Sequence, residues 1–254
     1  MPAVEALLKK DRHIVLATLV GLIALSWAYL VMMARDMSMI MVPLERWDAQ
    51  IAFSAFLMWA IMMVGMMLPS AAPMILLNAA LLRKSDKPQP VHSYTILFLA
   101  GYLACWTMFS AAATALQWWL VSLQLVSPMM KGTSAQLNGS ILIAAGIYQW
   151  LPLKEACLRH CRSPAVFLTQ HKRPGPSGAF VMGLHHGAYC VGCCWVLMLL
   201  LFVGGVMNLL WIAFLAAFVL VEKLLPFGAK FGRIGGSIMF AVGIYWLLSV
   251  RLIT

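Results

Sequence analysis

Acidic residues are scarce in this chain. Only eight Asp and Glu stand against 18 Lys and Arg in 254 residues, and 10% of the sequence is charged. Of these few acids, Glu222, beside Lys223 at the end of an apolar run, is the one placed to approach a membrane interior. Intramembrane carboxylates are the usual proton carriers of pumps, so a proton-coupled carrier is disfavoured. There is no Gly-rich phosphate loop, no Ser/His/Asp arrangement and no His-Glu-x-x-His pattern, which removes the commonest routes to nucleotide binding and hydrolysis. Paired axial histidines on opposite helices are missing too, and the six His residues do not trace a transmembrane electron path. Heme is therefore not favoured.

What the chain has in excess is apolar surface. At 63% hydrophobic residues it is too apolar for a soluble domain. Runs near or above the roughly 20 residues needed to cross a hydrocarbon core occur at Ile14–Ala34, Ile51–Leu82, Tyr94–Val126, Leu137–Leu153, Ala179–Val206, Asn208–Val221 and Ile234–Val250. The expected fold is an all-α polytopic membrane bundle of about seven transmembrane helices. The sixth run is short and the third is long enough to hold a break, which leaves six or eight as alternatives. The first run is too long for a signal-peptide core and lacks a small-x-small cleavage site, so it reads as a retained anchor.

Cytoplasmic loops are enriched in Lys and Arg. Placing the N-terminus inside and the C-terminus outside puts 14 of the 18 cations on the inner side, leaving Arg35, Arg46, Lys131 and Arg251 outside. The net charge of +10 is thereby accounted for by topology and an anionic lipid surface. No nucleic-acid partner is needed.

Sulfur gives the chain its chemistry. Met63-Val64-Gly65-Met66-Met67 aligns with Cys190-Val191-Gly192-Cys193-Cys194, 127 residues later. Each thioether of the first segment is matched by a thiol in the second. Spacings of i, i+3 and i+4 set all three on one helical face, and soft sulfur ligands select Cu(I) above other ions, with zinc a weaker fit. Met182 and His186 continue the stripe of Cys190, Cys193 and Cys194 at helical spacing, while His185 points about 100° away. Packing is the competing explanation, since Met is a common core filler and free Cys behaves as a small buried hydrophobe.

Further ligands sort by side. Met32, Met33, Met37, Met39, Met41, Met129 and Met130 fall on outer segments without any Cys, where thioethers resist the oxidation that thiols suffer. On the inside, Cys157, His160 and Cys161 supply half of a zinc or copper site, or a reactive or lipidated cysteine pair. His171 follows ten residues on.

A second internal match supports duplication. Gly139-Ser140-Ile141-Leu142-Ile143-Ala144-Ala145-Gly146-Ile147-Tyr148 and Gly236-Ser237-Ile238-Met239-Phe240-Ala241-Val242-Gly243-Ile244-Tyr245 share seven of ten residues. Helices 2-3-4 then correspond to 5-6-7, and three being odd, the halves lie in opposite orientation, an inverted 3+3 repeat with its site at the repeat interface. The domains expected are 1–50 (anchor helix and Met-rich outer loop), 51–153 (first repeat), 154–178 (cytoplasmic Cys/His loop) and 179–254 (second repeat). Gly183 with Gly187, and Gly228, Gly232 and Gly236, mark helices that approach a neighbour backbone to backbone.

Three stretches together, Pro69-Ser70-Ala71-Ala72-Pro73-Met74, Pro152 to Pro164 and Tyr189-Cys190-Val191-Gly192-Cys193-Cys194-Trp195 followed by Glu222-Lys223, resemble a bacterial family of predicted metal-binding integral membrane proteins, filed as a domain of unknown function. The resemblance runs from about Ile51 to the end and implies metal binding in a prokaryotic cytoplasmic membrane. It carries no established activity. The leading expectation is Cu(I) handling, by a permease or a delivery protein, at a midplane site of Met63, Met66, Met67, Met182, His186, Cys190, Cys193 and Cys194. Alternatives are a membrane metalloenzyme or oxidoreductase, a copper-loading factor for a client membrane complex, and a thiol redox protein using Cys190 and Cys193. A homo-oligomer is also compatible with the glycine faces.

Overall fold

The computed structural model describes residues 2–39, 47–84, 90–127 and 131–251. The elements are α1 (Pro2–Met39), α2 (Ala49–Arg83), α3 (Val91–Ser122), α4 (Ala135–Tyr148), α5 (Pro152–Arg162), α6 (Pro164–Gln170), α7 (Gly175–Leu199), α8 (Leu201–Gly204), α9 (Leu209–Leu224) and α10 (Gly228–Arg251). The chain is all-helical, and among the described residues no β-strand forms beyond one isolated bridge, Val126 with Gly132.

Among the described residues, five helical stretches are long and apolar enough to cross a membrane: His13–Arg35, Ala49–Arg83, Val91–Ser122, Gly175–Gly204 and Gly228–Ser249. The other two expected spans coincide with α4 and α9, of 14 and 16 residues, about 21 and 24 Å of helix. These fall short of a full hydrocarbon thickness. The third run holds no break, since α3 continues unbroken for 32 residues.

Two prolines sit inside α2 without ending it. Pro69 has no N–H, so the carbonyl of Gly65 loses its helical donor. The indole Nε1 of Trp27 on α1 supplies one at 3.2 Å. Gly65 makes this approach possible, because a Cβ there would stand 3.2 Å from Ser26 Cβ. One turn on, Ser70 Oγ and Tyr102 Oη both donate to the Met67 carbonyl, at 2.9 and 3.1 Å.

Glycine fixes the other close approaches. Gly101 of α3 lies against the backbone of Phe180 and Leu184, while Gly183 of α7 lies against the backbone of Phe98 and Gly187 against Cys105 and the Tyr102 carbonyl. The Gly183/Gly187 face is therefore a backbone contact with α3. The matched segments of α4 and α10 meet reciprocally: Gly139 abuts Gly243, and Gly146 abuts Gly236. Farther down α10, Gly228 and Gly232 receive the backbone and the carboxylate of Glu222. Small residues at these positions let the helix backbones approach closely and pack against one another.

Position decides what a methyl group does in such a fold. Gly183→Ala should destabilise by about 1–3 kcal/mol, since its Cβ meets the Phe98 backbone. Gly21→Ala, with nothing within 4 Å, should instead stabilise by roughly 0.5–1 kcal/mol through helix propensity. Thermal unfolding of the two variants in detergent distinguishes these signs.

Candidate metal centre

Helix α7 presents Met182, His186, Cys190, Cys193, Cys194 and Met198 inward, and every one is buried. Helix α2 does the same with Met58, Met62, Met63, Met66 and Met67. The two faces touch at their aligned ends, with Cys194 Sγ 3.9 Å from Met67 Sδ. Met63 and Met66 are equally buried in the same core.

Helix α5 adds a third source of sulfur. Cys161 Sγ lies 4.0 Å from Cys193 Sγ, and Cys157 is accommodated beside Gly192, where a Cβ would stand 2.9 Å from its Sγ. Tyr148 Oη donates to the carbonyl of that same Gly192. Burial pushes the Cys157 thiol above its ordinary range, which favours the protonated form until a metal displaces the proton. Cys157 and Cys161 are thus packed against the sulfur-bearing face of α7. His160 turns the other way, stacking on Tyr189 at 4.1 Å and 2° and standing 6.2 Å from His171.

All six cysteines are free thiols. Two sulfurs bound to one ion at about 2.3 Å each are separated by roughly 3.8 Å at a tetrahedral angle and 4.6 Å in a line. The Cys194–Met67 and Cys161–Cys193 separations fall within that window. Among the described residues no group of three or more His, Cys, Asp and Glu side chains is arranged to hold an ion; Cu(I), which bonds well to two sulfurs, does not require one.

His186 is 2% exposed, and neither ring nitrogen has a hydrogen-bond partner. Its ring is packed against Tyr102 at 5.5 Å, Phe98 at 6.1 Å and Phe167 at 5.5 Å. A buried imidazole with both nitrogens unsatisfied is costly, and one turn away from Cys190 it is a donor in waiting. His185 points instead toward His171, 5.7 Å between rings.

The residue that sequence reasoning left out is Lys223. It is 4% exposed, and its ammonium lies 2.9 Å from Cys190 Sγ, 3.4 Å from Ser70 Oγ and 3.9 Å from Cys194 Sγ. Tyr102 Oη stands 3.3 Å from the same Cys190 sulfur. Neighbouring Glu222 points to a different side of α9, where Lys154 of α5 meets both its carboxylate oxygens at 2.7 and 2.8 Å. Arg162 closes the joint by donating to the carbonyls of Leu225 and Pro226 at 2.8 and 2.7 Å. The available signal was the pair Glu222-Lys223 itself, since ionisable residues in an apolar helix are functional or paired by default.

Of the methionines expected on outer segments, Met32 is exposed and Met33 partly buried. Met37 and Met39 belong to the last turn of α1, and Met41, Met129 and Met130 lie outside the described residues.

Taken together these features define an all-helical protein with a buried group of soft donors from three helices. Residues 56–246 match the family described as PpoB2, copper chaperone, and the chain belongs to that family. Comparison with curated proteins and with solved structures found no match. Copper handling, and a metal ion as partner, follow from the family.

The buried Lys154–Glu222 pair makes a prediction of its own. Lys154→Met alone should cost about 3–5 kcal/mol by stranding the carboxylate, whereas Lys154→Met combined with Glu222→Leu should recover most of the loss. A double-mutant cycle of unfolding in detergent measures this directly.

Proposed function

We propose that this protein is a membrane-embedded copper chaperone that holds Cu(I) on the α7 thiols and delivers it to a client. The observation that carries the reading is the convergence of sulfurs from three helices, Cys194 on Met67 and Cys161 on Cys193, at separations that suit a shared ion. The anionic ligands would be two of the α7 thiols Cys190, Cys193 and Cys194, with Met67, His186 and Cys161 as the neighbouring soft donors. Met63, Met66 and Met182 would form the surrounding soft wall, and Cys157 and His160 the inner approach.

Membrane residence is supported by the five long apolar helices and by their surfaces. Val20, Leu25, Phe53, Ile96, Met108 and Ile238 are each more than half exposed, a cost in water and none in lipid. The positive-inside pattern favours a cytoplasmic membrane with the N-terminus inside. Reciprocal packing of α4 on α10 is what a local two-fold relation between inverted repeats would produce. The short α4 and α9 would then be the partial spans that complete seven. Outer methionines would collect the ion.

Elemental analysis of protein purified reduced and copper-loaded tests the reading. Wild type should carry one or two copper ions per chain, and a Cys190→Ser, Cys193→Ser, Cys194→Ser variant essentially none; equal copper in both would overturn it. Met67→Leu should weaken Cu(I) by roughly tenfold, the loss of one soft donor. A chaperone should transfer copper to an acceptor thiol without moving it across sealed vesicles. Metal flux through the protein would point to a permease instead.

A further inference from the structure

Among the described residues, the buried charges of this region are Lys154, Glu222 and Lys223, and Lys223 has no direct ion pair. Lys154 and Glu222 neutralise each other at 2.7 Å. Among exposed groups, Glu155 is taken by Arg233 at 2.6 Å. Lys223, by contrast, faces Cys190, Cys194 and the hydroxyl of Ser70. Its ammonium is thus a fixed positive charge set into the sulfur group, with thiols and a hydroxyl for company.

We propose that Lys223 makes the site selective for a monovalent ion, balancing the charge of a bis-thiolate Cu(I) complex. This rests on the copper-holding role proposed above. Metal ligation requires thiolates, so two α7 cysteines bring two negative charges. Lys223 and Cu(I) bring two positive charges, and the site closes neutral. A divalent ion on the same two thiolates is already neutral, which leaves the ammonium as one uncompensated positive charge in an environment where charge is poorly screened. Sulfur alone does not make this distinction, because zinc and cadmium also bind thiolates well. The discrimination is electrostatic.

Adjacent geometry supports the assignment. Glu222 is the carboxylate nearest in sequence, and a helical step of about 100° turns it toward Lys154, so the direct contacts of the Lys223 ammonium are thiols and a hydroxyl. Tyr102 reaches Cys190 Sγ at 3.3 Å as a neutral group and leaves the balance unchanged.

The test uses the full chain in detergent, reduced, with Cu(I) measured by chelator competition and Cd(II) by its thiolate charge-transfer absorption. Lys223→Leu should raise Cd(II) affinity relative to Cu(I) by at least about tenfold, the scale of one unscreened unit charge nearby. Lys223→Gln, which keeps a donor for Ser70, should do the same and serves if the leucine variant does not fold. Lys223→Arg should retain the wild-type ratio, which a merely structural role would not predict. An unchanged ratio in the leucine and glutamine variants, with Cu(I) still bound by wild type, overturns this assignment alone. A wild type that binds no Cu(I) overturns the chaperone reading as well.

Discussion

Two adjacent charges on α9 cannot stand alone in an apolar interior, and much of the architecture follows from how they are met. Burying an unpaired charge is prohibitive, so Glu222 and Lys223, on different faces of one helix, each demand a partner from a different direction. Glu222 draws in Lys154 and with it α5, and presses its carboxylate into the space left by Gly232 of α10. Lys223 turns toward α7 and α2, where Cys190 and Ser70 receive it. One dipeptide thereby ties four helices around the thiols. Moving α9 by a single residue would exchange the two charges and leave neither satisfied.

The sulfur group is rigid for reasons that lie outside it. Cys193 and Cys194 donate to the carbonyl of Cys190 at 3.1 and 2.9 Å, so the thiols are held against their own helix. The helix is held in turn by glycine contacts with α3 and by α5 lying along it. Preorganised donors lose little entropy when an ion arrives. What stays uncommitted is His186, shielded by three aromatic rings and bonded to nothing.

Much of this was legible in the sequence because it follows from period and composition. The stripe of Met182, His186, Cys190, Cys193 and Cys194 is a matter of helical spacing, and it is buried as one face. The alignment of Met67 with Cys194 anticipated a contact that is present. Gly183 and Gly187 marked a backbone approach correctly, since a small residue every fourth position in an apolar helix has few other uses. Hydropathy could not settle whether α4 and α9 span, because a short apolar helix scores like part of a long one. Spacing also placed Cys157, His160 and Cys161 together on one segment, but only tertiary packing sends Cys161 to Cys193 and His160 to Tyr189. Lys223 was hidden for the same reason, as a charge at a helix end looks solvated until its neighbours are known.

The indole of Trp27 carries a consequence for how the protein is put together. Its donor satisfies the Gly65 carbonyl that Pro69 strips of a partner, one residue before Met66 and two before Met67. The matched family region begins at residue 56, so this bond is supplied from outside it. A buried backbone carbonyl left without a donor is disfavoured. The sulfur-bearing turn of α2 therefore draws on a donor that α1 supplies, so the family-matched region is not self-sufficient at this carbonyl.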